Sequence, residues 1–166
     1  MQKNLSSTQM IPYDYQKENE NNFLFTTDNA CVYQIRLYPV DEFFEESCTS
    51  CNELLELTIN CISHNCPTFD SRVGLTIANI VGEVLSKSCI GLLYKILSDD
   101  GKQGKRELKF ERWLENYDEE GEIELIAQEF CDSECEKFYL LTDKKCINHK
   151  NAVNNFYNEC SACKRN

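Results

Sequence analysis

The chain has 166 residues and a formal net charge of -11, with 42% hydrophobic and 11% aromatic residues. That length suits one domain with one core, and there is enough apolar material to bury. The acidic balance disfavours nonspecific binding to nucleic-acid backbones, which demands clustered cations, and no run approaches the roughly 18 apolar residues of a membrane span.

Residues 1–20 are polar and Asn-rich, and a loosely ordered N-terminal tail is expected there. They lack a charged segment followed by an apolar one, so no secretory leader is expected and the location implied is cytoplasmic. Residues 21–166 are expected to form a single α+β domain, since Gly (6) and Pro (3) are too few for a long linker. Phe23–Thr27 and Cys31–Tyr38 flank Asp28-Asn29-Ala30, which reads as two strands joined by a hairpin turn. Tyr33, Ile35 and Leu37 share one face of the second strand. After Pro39 comes an acidic, aromatic insert, Asp41–Glu46, holding Phe43 and Phe44. Alternation over Glu53–Ile62 predicts a third antiparallel strand, with Leu55, Leu57, Ile59 and Cys61 on one side.

A helix is expected from Asp70, a capping residue, to Leu85, with Val73, Ile77, Ile80, Val81 and Val84 at helical spacing. Gly74, Ala78 and Gly82 recur every four residues, a row that lets a neighbour approach closely and offsets the helical cost of about 1 kcal/mol per glycine. Ile90–Leu97 reads as a short buried strand. Asp99-Asp100-Gly101 turns the chain into a second helix, Lys102–Tyr117, with Phe110, Trp113, Leu114 and Tyr117 as its apolar stripe. Glu122–Phe130 and Glu136–Thr142 read as two more strands and Asn148–Cys160 as a final helix. The order is βββ-α-β-α-ββ-α, a mostly antiparallel sheet in the α+β class.

The chain carries 11 cysteines. A secreted disulfide scaffold is short and poor in core, so reduced thiols, several of them buried as small hydrophobes, are the expectation. Cys48-x-x-Cys51 and Cys160-x-x-Cys163 have the spacing of zinc half-sites. They are far apart in sequence, and a metal is not expected; zinc on these four residues is the alternative. His64 and His149 are the only histidines, and no Ser-His-Asp order or HExxH motif is present. Asp99 and Asp100 read as caps rather than as an acid–base pair.

Five of the 17 Lys and Arg residues fall between Lys102 and Arg112. Lys102, Lys105, Lys109 and Arg112 share one helical face, with Arg106 beside them. Such a face suits a phosphorylated ligand or an acidic partner; local ion pairing with Glu107, Glu111 and Glu115 is the structural alternative.

Phe25-Thr26-Thr27-Asp28-Asn29, then Phe69-Asp70-Ser71-Arg72-Val73 with Thr76-Ile77, then Asp100-Gly101-Lys102-Gln103 with Arg106 and Phe110-Glu111-Arg112-Trp113, fall in an order that resembles an uncharacterised small-protein family of Bacteroidetes, domain of unknown function 6169. The resemblance covers about Tyr13 to Tyr157. It implies a bacterial cytoplasmic protein and supplies no catalytic residue. The element order is also similar to the core of the GCN5-related acetyltransferase fold. In that fold the loop before the first of these helices carries (Arg/Gln)-x-x-Gly-x-(Gly/Ala) and holds the pyrophosphate of acetyl-CoA on backbone N–H groups. Here the segment reads Ser71-Arg72-Val73-Gly74-Leu75-Thr76, which makes Arg72, Gly74 and Thr76 the phosphate-loop candidates. Two expectations follow. The first is a non-enzymatic, acidic module that binds a protein partner, without cofactor. The alternative is an acyl-CoA-dependent transferase, or a degenerate, inactive relative of one.

Overall fold

A computed structural model describes residues 10–40, 54–66, 70–95, 103–118, 121–131 and 135–162. Seven strands form a single sheet: β1 (Tyr15–Asn19), β2 (Asn22–Thr26), β3 (Val32–Pro39), β4 (Leu54–Cys61), β5 (Gly91–Lys95), β6 (Ile123–Cys131) and β7 (Cys135–Asp143). Their spatial order is β1-β2-β3-β4-β5-β7-β6. The helices are α1 (Ser71–Ser88), α2 (Gln103–Tyr117) and α3 (His149–Ala162). The α+β class and the mostly antiparallel sheet agree with the sequence reading.

One strand falls inside the stretch expected to be a loose tail. β1 runs antiparallel to β2, with Tyr15 opposite Phe25, and Tyr13 just before it is buried. Apart from its first residue, β1 is fully exposed, so alternation gives it no apolar face to read from the sequence. β2 and β3 turn through Asp28–Ala30, where Ala30 takes the positive φ of 59° and its N–H donates to the Thr27 carbonyl at 2.9 Å.

Every neighbouring pair is antiparallel except β4 and β5, which run parallel. They pair only over Leu54–Glu56 and Gly91–Leu93. Beyond that the two strands no longer pair with each other: β4 runs on against β3 to Cys61, and β5 against β7 to Lys95.

The central strands are covered on both sides. Leu92 and Leu141 join the core beneath α1 and α2, together with Phe23, Ile35, Leu57, Ile77 and Phe110. Their chain neighbours Leu93 and Leu140 point the other way and meet Leu54, Ala152 and Phe156, the last two on α3. This is the two-residue period of a strand acting on adjacent leucines. α1 begins where the sequence places it. Asp70 is in extended backbone, and its carboxylate accepts from the Arg72 N–H at 3.0 Å. The helix closes at Cys89, left-handed with φ 50°, whose N–H bonds the Leu85 carbonyl at 3.2 Å.

Among the described residues, two disulfides correct the expectation of reduced thiols. Cys31 bonds Cys66, with Cα atoms 5.8 Å apart across 35 residues of sequence. Cys89 bonds Cys146, with Cα atoms 5.2 Å apart across 57 residues. Each joins the end of one element to a turn that only the folded sheet brings near, so no spacing in the sequence announces it. No helix among the described residues is long and apolar enough to cross a membrane.

Candidate functional site

The site gathers around the amino-terminal end of α1, where the N-terminal segment, β3, the end of β4 and α2 converge. Arg72 is the hub. Its Nε donates to the Ile11 carbonyl at 2.9 Å, its Nη1 pairs with the Asp28 carboxylate at 2.7 Å, and its guanidinium lies 3.8 Å from the Tyr13 ring centre. The planar fork of arginine makes all three possible at once. Tyr13 returns the hold: its hydroxyl donates to Asp70 at 2.8 Å, and its backbone N–H donates to Thr76 Oγ1, also at 2.8 Å. Thr76 is fully buried, and its hydroxyl donates a hydrogen bond to the Arg72 carbonyl at 2.7 Å. Burial first, and the Asp70 carboxylate second, push the Tyr13 hydroxyl above its ordinary pKa.

Gly74, one turn into α1, faces α2. A side chain there would overlap the indole of Trp113, and one at Gly82 would overlap the ring of Tyr117. The small-residue row is therefore the seat of two aromatic residues spaced one turn apart on α2. The three phosphate-loop candidates are thus brought together, and each is engaged within the chain. Arg72 and Thr76 tie down the N-terminal segment and Gly74 receives Trp113. The Arg72 and Val73 N–H groups are taken by Asp70.

The basic row sits on α2 beside this end of α1. Lys105 and Arg112 are exposed. Lys109 lies with its ammonium 5.1 Å from the Trp113 ring centre. Its pKa is lowered, mainly because burial penalises the charge; the nearby Asp70 carboxylate opposes that. Among the described residues, neither Lys105, Lys109 nor Arg112 forms an ion pair with Glu111 or Glu115. Lys102 lies outside the described residues. Arg106 is in α2, with its side chain outside them.

Leu108 was missed by the sequence reading. It is 56% exposed and lies three residues after Lys105 and four before Arg112, so the three share one face of α2. The signal was present, because Leu108 falls off the Phe110–Trp113–Leu114–Tyr117 stripe.

A different grouping lies at the far end of β4. Cys61 stands opposite Tyr33 in the β3–β4 register, and burial together with the Cys61 contact pushes the Tyr33 hydroxyl above its ordinary pKa. The zinc alternative is not addressed by these contacts: Cys48, Cys51 and Cys163 lie outside the described residues, as does the side chain of Cys160. The Asp41–Glu46 insert also lies outside them. Among the described residues, no cluster of three His, Cys, Asp or Glu side chains is placed to hold a metal. His149 opens α3, with Nε2 3.1 Å from Glu124 and Nδ1 3.4 Å from the Thr142 hydroxyl.

Two open grooves, of about 420 and 390 Å³, flank the other end of α2. Their walls carry Asp118, Glu122 and Asp143 in one, and Glu111, Glu115 and Asp118 in the other. Carboxylate walls repel an anion, so the grooves do not extend the basic row. Comparison with protein-family models, with curated proteins and with solved structures finds no match to this chain.

Proposed function

We propose that the chain is a non-enzymatic binding module whose contact surface is the outer face of α2, and that its partner is a protein segment with acidic residues around an apolar anchor. One observation carries the reading: the exposed Leu108 is flanked on its face by the exposed cations Lys105 and Arg112. An apolar anchor ringed by charge is a common anatomy for a protein contact. The cations orient an acidic partner and speed encounter, while the leucine adds area removed from water. The disulfides Cys31–Cys66 and Cys89–Cys146 favour an oxidising setting over a reducing cytoplasm.

The second reading, an acyl-CoA-dependent transferase or an inactive relative, is favoured by the sheet. What supports it is the strand order β1-β2-β3-β4-β5-β7-β6 and the short parallel pairing of β4 with β5. The start of α1 weighs against its activity. Asp70 places a carboxylate where pyrophosphate would need N–H donors, and Tyr13 and Arg72 close over it. The test is a titration with an acidic, leucine-bearing peptide, set beside a thermal-shift measurement with acetyl-CoA. Salt-sensitive peptide binding that is lost in Lys105→Glu/Arg112→Glu supports the module. A raised melting temperature with acetyl-CoA, and no peptide binding, favours the transferase scaffold.

A further inference from the structure

Three sulfur atoms meet where β4 ends. Cys61 is exposed and unbonded. Its Sγ lies 3.2 Å from Sγ of Cys66, which is itself bonded to Cys31. Cys31, the far partner, is only 4% exposed.

The chain builds this approach deliberately. After Cys61 it reverses through Ser63–Asn65, with Asn65 in the left-handed region at φ 59°, a conformation asparagine tolerates better than most residues. Two bonds clip the turn onto the start of β3: the Val32 N–H donates to Ser63 Oγ at 2.8 Å, and the Ile62 N–H donates to the Val32 carbonyl at 2.9 Å. On the other side, the hairpin holds Cys31 by its N–H to Thr27 Oγ1 at 3.1 Å. The groups facing Cys61 are Tyr33 across the strand and the Ser63 carbonyl, 3.7 Å from Sγ.

We propose that Cys61, Cys66 and Cys31 form a thiol–disulfide exchange site whose substrate is an external low-molecular-weight thiol. In the first step Cys61 loses its proton to solvent and its thiolate attacks Cys66 Sγ. The Cys66–Cys31 bond breaks, the Cys61–Cys66 bond forms, and Cys31 leaves as a thiolate that takes up a proton. One disulfide is exchanged for another, with no net oxidation. In the second step the external thiolate attacks Cys61 Sγ, and Cys66 departs and is protonated. The sum is one external thiol, the Cys61 thiol and the Cys31–Cys66 disulfide converted to a mixed disulfide on Cys61 and two thiols, at Cys31 and Cys66. Exchange depends on access to the sulfur attacked: Cys66 is only half-exposed and its partner Cys31 is buried, whereas Cys61 already stands 3.2 Å from Cys66 Sγ. The relay moves the bond to the surface, where an external thiol can take it.

The test uses the full chain, purified without reductant, then incubated with glutathione, quenched in acid, alkylated and mapped by mass spectrometry. The expected result is glutathione on Cys61, with Cys31 and Cys66 appearing together as alkylated thiols. In Cys61→Ser the Cys31–Cys66 bond should open about tenfold more slowly or worse, because an intramolecular nucleophile held in place has been removed. Opening of Cys89–Cys146 should be unchanged, which serves as the internal control for folding. Should the variant fail to fold, the unaltered chain gives the answer without added thiol. Acid quench followed by alkylation in denaturant should find the free thiol shared between Cys61 and Cys31, because the first step moves it from one to the other. Equal opening rates with and without Cys61, glutathione first on Cys66, or no gain of alkylation at Cys31 would each overturn the proposal. So would stoichiometric zinc lost in Cys61→Ser, which would make the three sulfurs ligands of an ion.

Discussion

The indole of Trp113 occupies the space that a side chain on Gly74 would need. That one relationship joins the two halves of the candidate site, because the Lys109 ammonium lies 5.1 Å from the centre of the same ring. Gly82 and Tyr117 repeat the arrangement two turns along α1.

Added volume at either glycine should push the two helices apart. Gly74→Val and Gly82→Leu are each expected to lower the denaturation midpoint, at the overpacking cost of about 1–3 kcal/mol or more. Lys87→Leu is the contrast. Its ammonium is exposed and pairs with Glu83 at 2.6 Å, an i,i+4 pair worth about 0.3–0.5 kcal/mol. Urea unfolding of the three variants checks this, and equal midpoints would mean that α2 does not rest on the glycine row.

The Tyr15 hydroxyl donates to Glu83. The Lys87 bond, then the Tyr15 bond, lower the Glu83 pKa, while burial and the bond to Glu83 push Tyr15 up to about 12. The signs oppose one another. Glu83 ionises more readily folded than unfolded, so its contribution is present above the unfolded carboxylate pKa and lost as pH falls through the folded one. Tyr15 stays protonated longer when folded, so its contribution is complete below about pH 10 and lost as pH rises towards 12. Glu83→Gln should flatten the acid limb of a stability–pH curve, and Tyr15→Phe the alkaline limb. Unchanged limbs in both variants would remove this contact from the account.

Charge reversal on the outer face of α2 should cost little. Lys105→Glu/Arg112→Glu is expected to keep its midpoint within about 0.5 kcal/mol of the parent, as surface substitutions generally do. Any binding it abolishes should weaken with salt in the parent, since exposed charges are screened over about 10 Å at 0.1 M. Unfolding of this variant would instead identify the row as a structural element.

Cys89 carries two roles that a pair of substitutions can separate. It closes α1 in the left-handed region, and it bonds Cys146. Cys89→Ala and Cys89→Gly both lose the disulfide, worth typically 2–4 kcal/mol. Only alanine keeps the left-handed strain of about 1–2 kcal/mol. The glycine variant should therefore melt above the alanine variant, and the reverse order would contradict the cap geometry.

What could be read from the sequence follows physical locality. α1 was legible because its cap, apolar spacing and glycine row are all written within Asp70–Ser88. The sequence did not say what would fill the glycine row, since Trp113 and Tyr117 lie 39 and 35 residues on from Gly74 and Gly82 and look like any apolar stripe. β1 was illegible because Lys17, Glu18 and Asn19 give it no buried side. Arg72, Gly74 and Thr76 were singled out for phosphate on local pattern alone. Their contacts, to Ile11, Asp28, Tyr13 and Trp113, come from segments the pattern does not contain. The sulfur group at Cys61 was hidden in the same way, because Cys31 enters it from another hairpin.

β1 also decides how the sheet ends. It is the outermost strand on its side, and its exposed Lys17 and Glu18 put charge along a border that would otherwise accept another chain. Behind it lies β2, whose Phe23 and Phe25 are buried. Loss of the segment through Asn19 would uncover that hydrophobic strand with its hydrogen-bonding edge open, a ready template for intermolecular pairing. The Arg72 clamp on Ile11 and Tyr13 thus guards against self-association as well as fastening the segment that leads into β1.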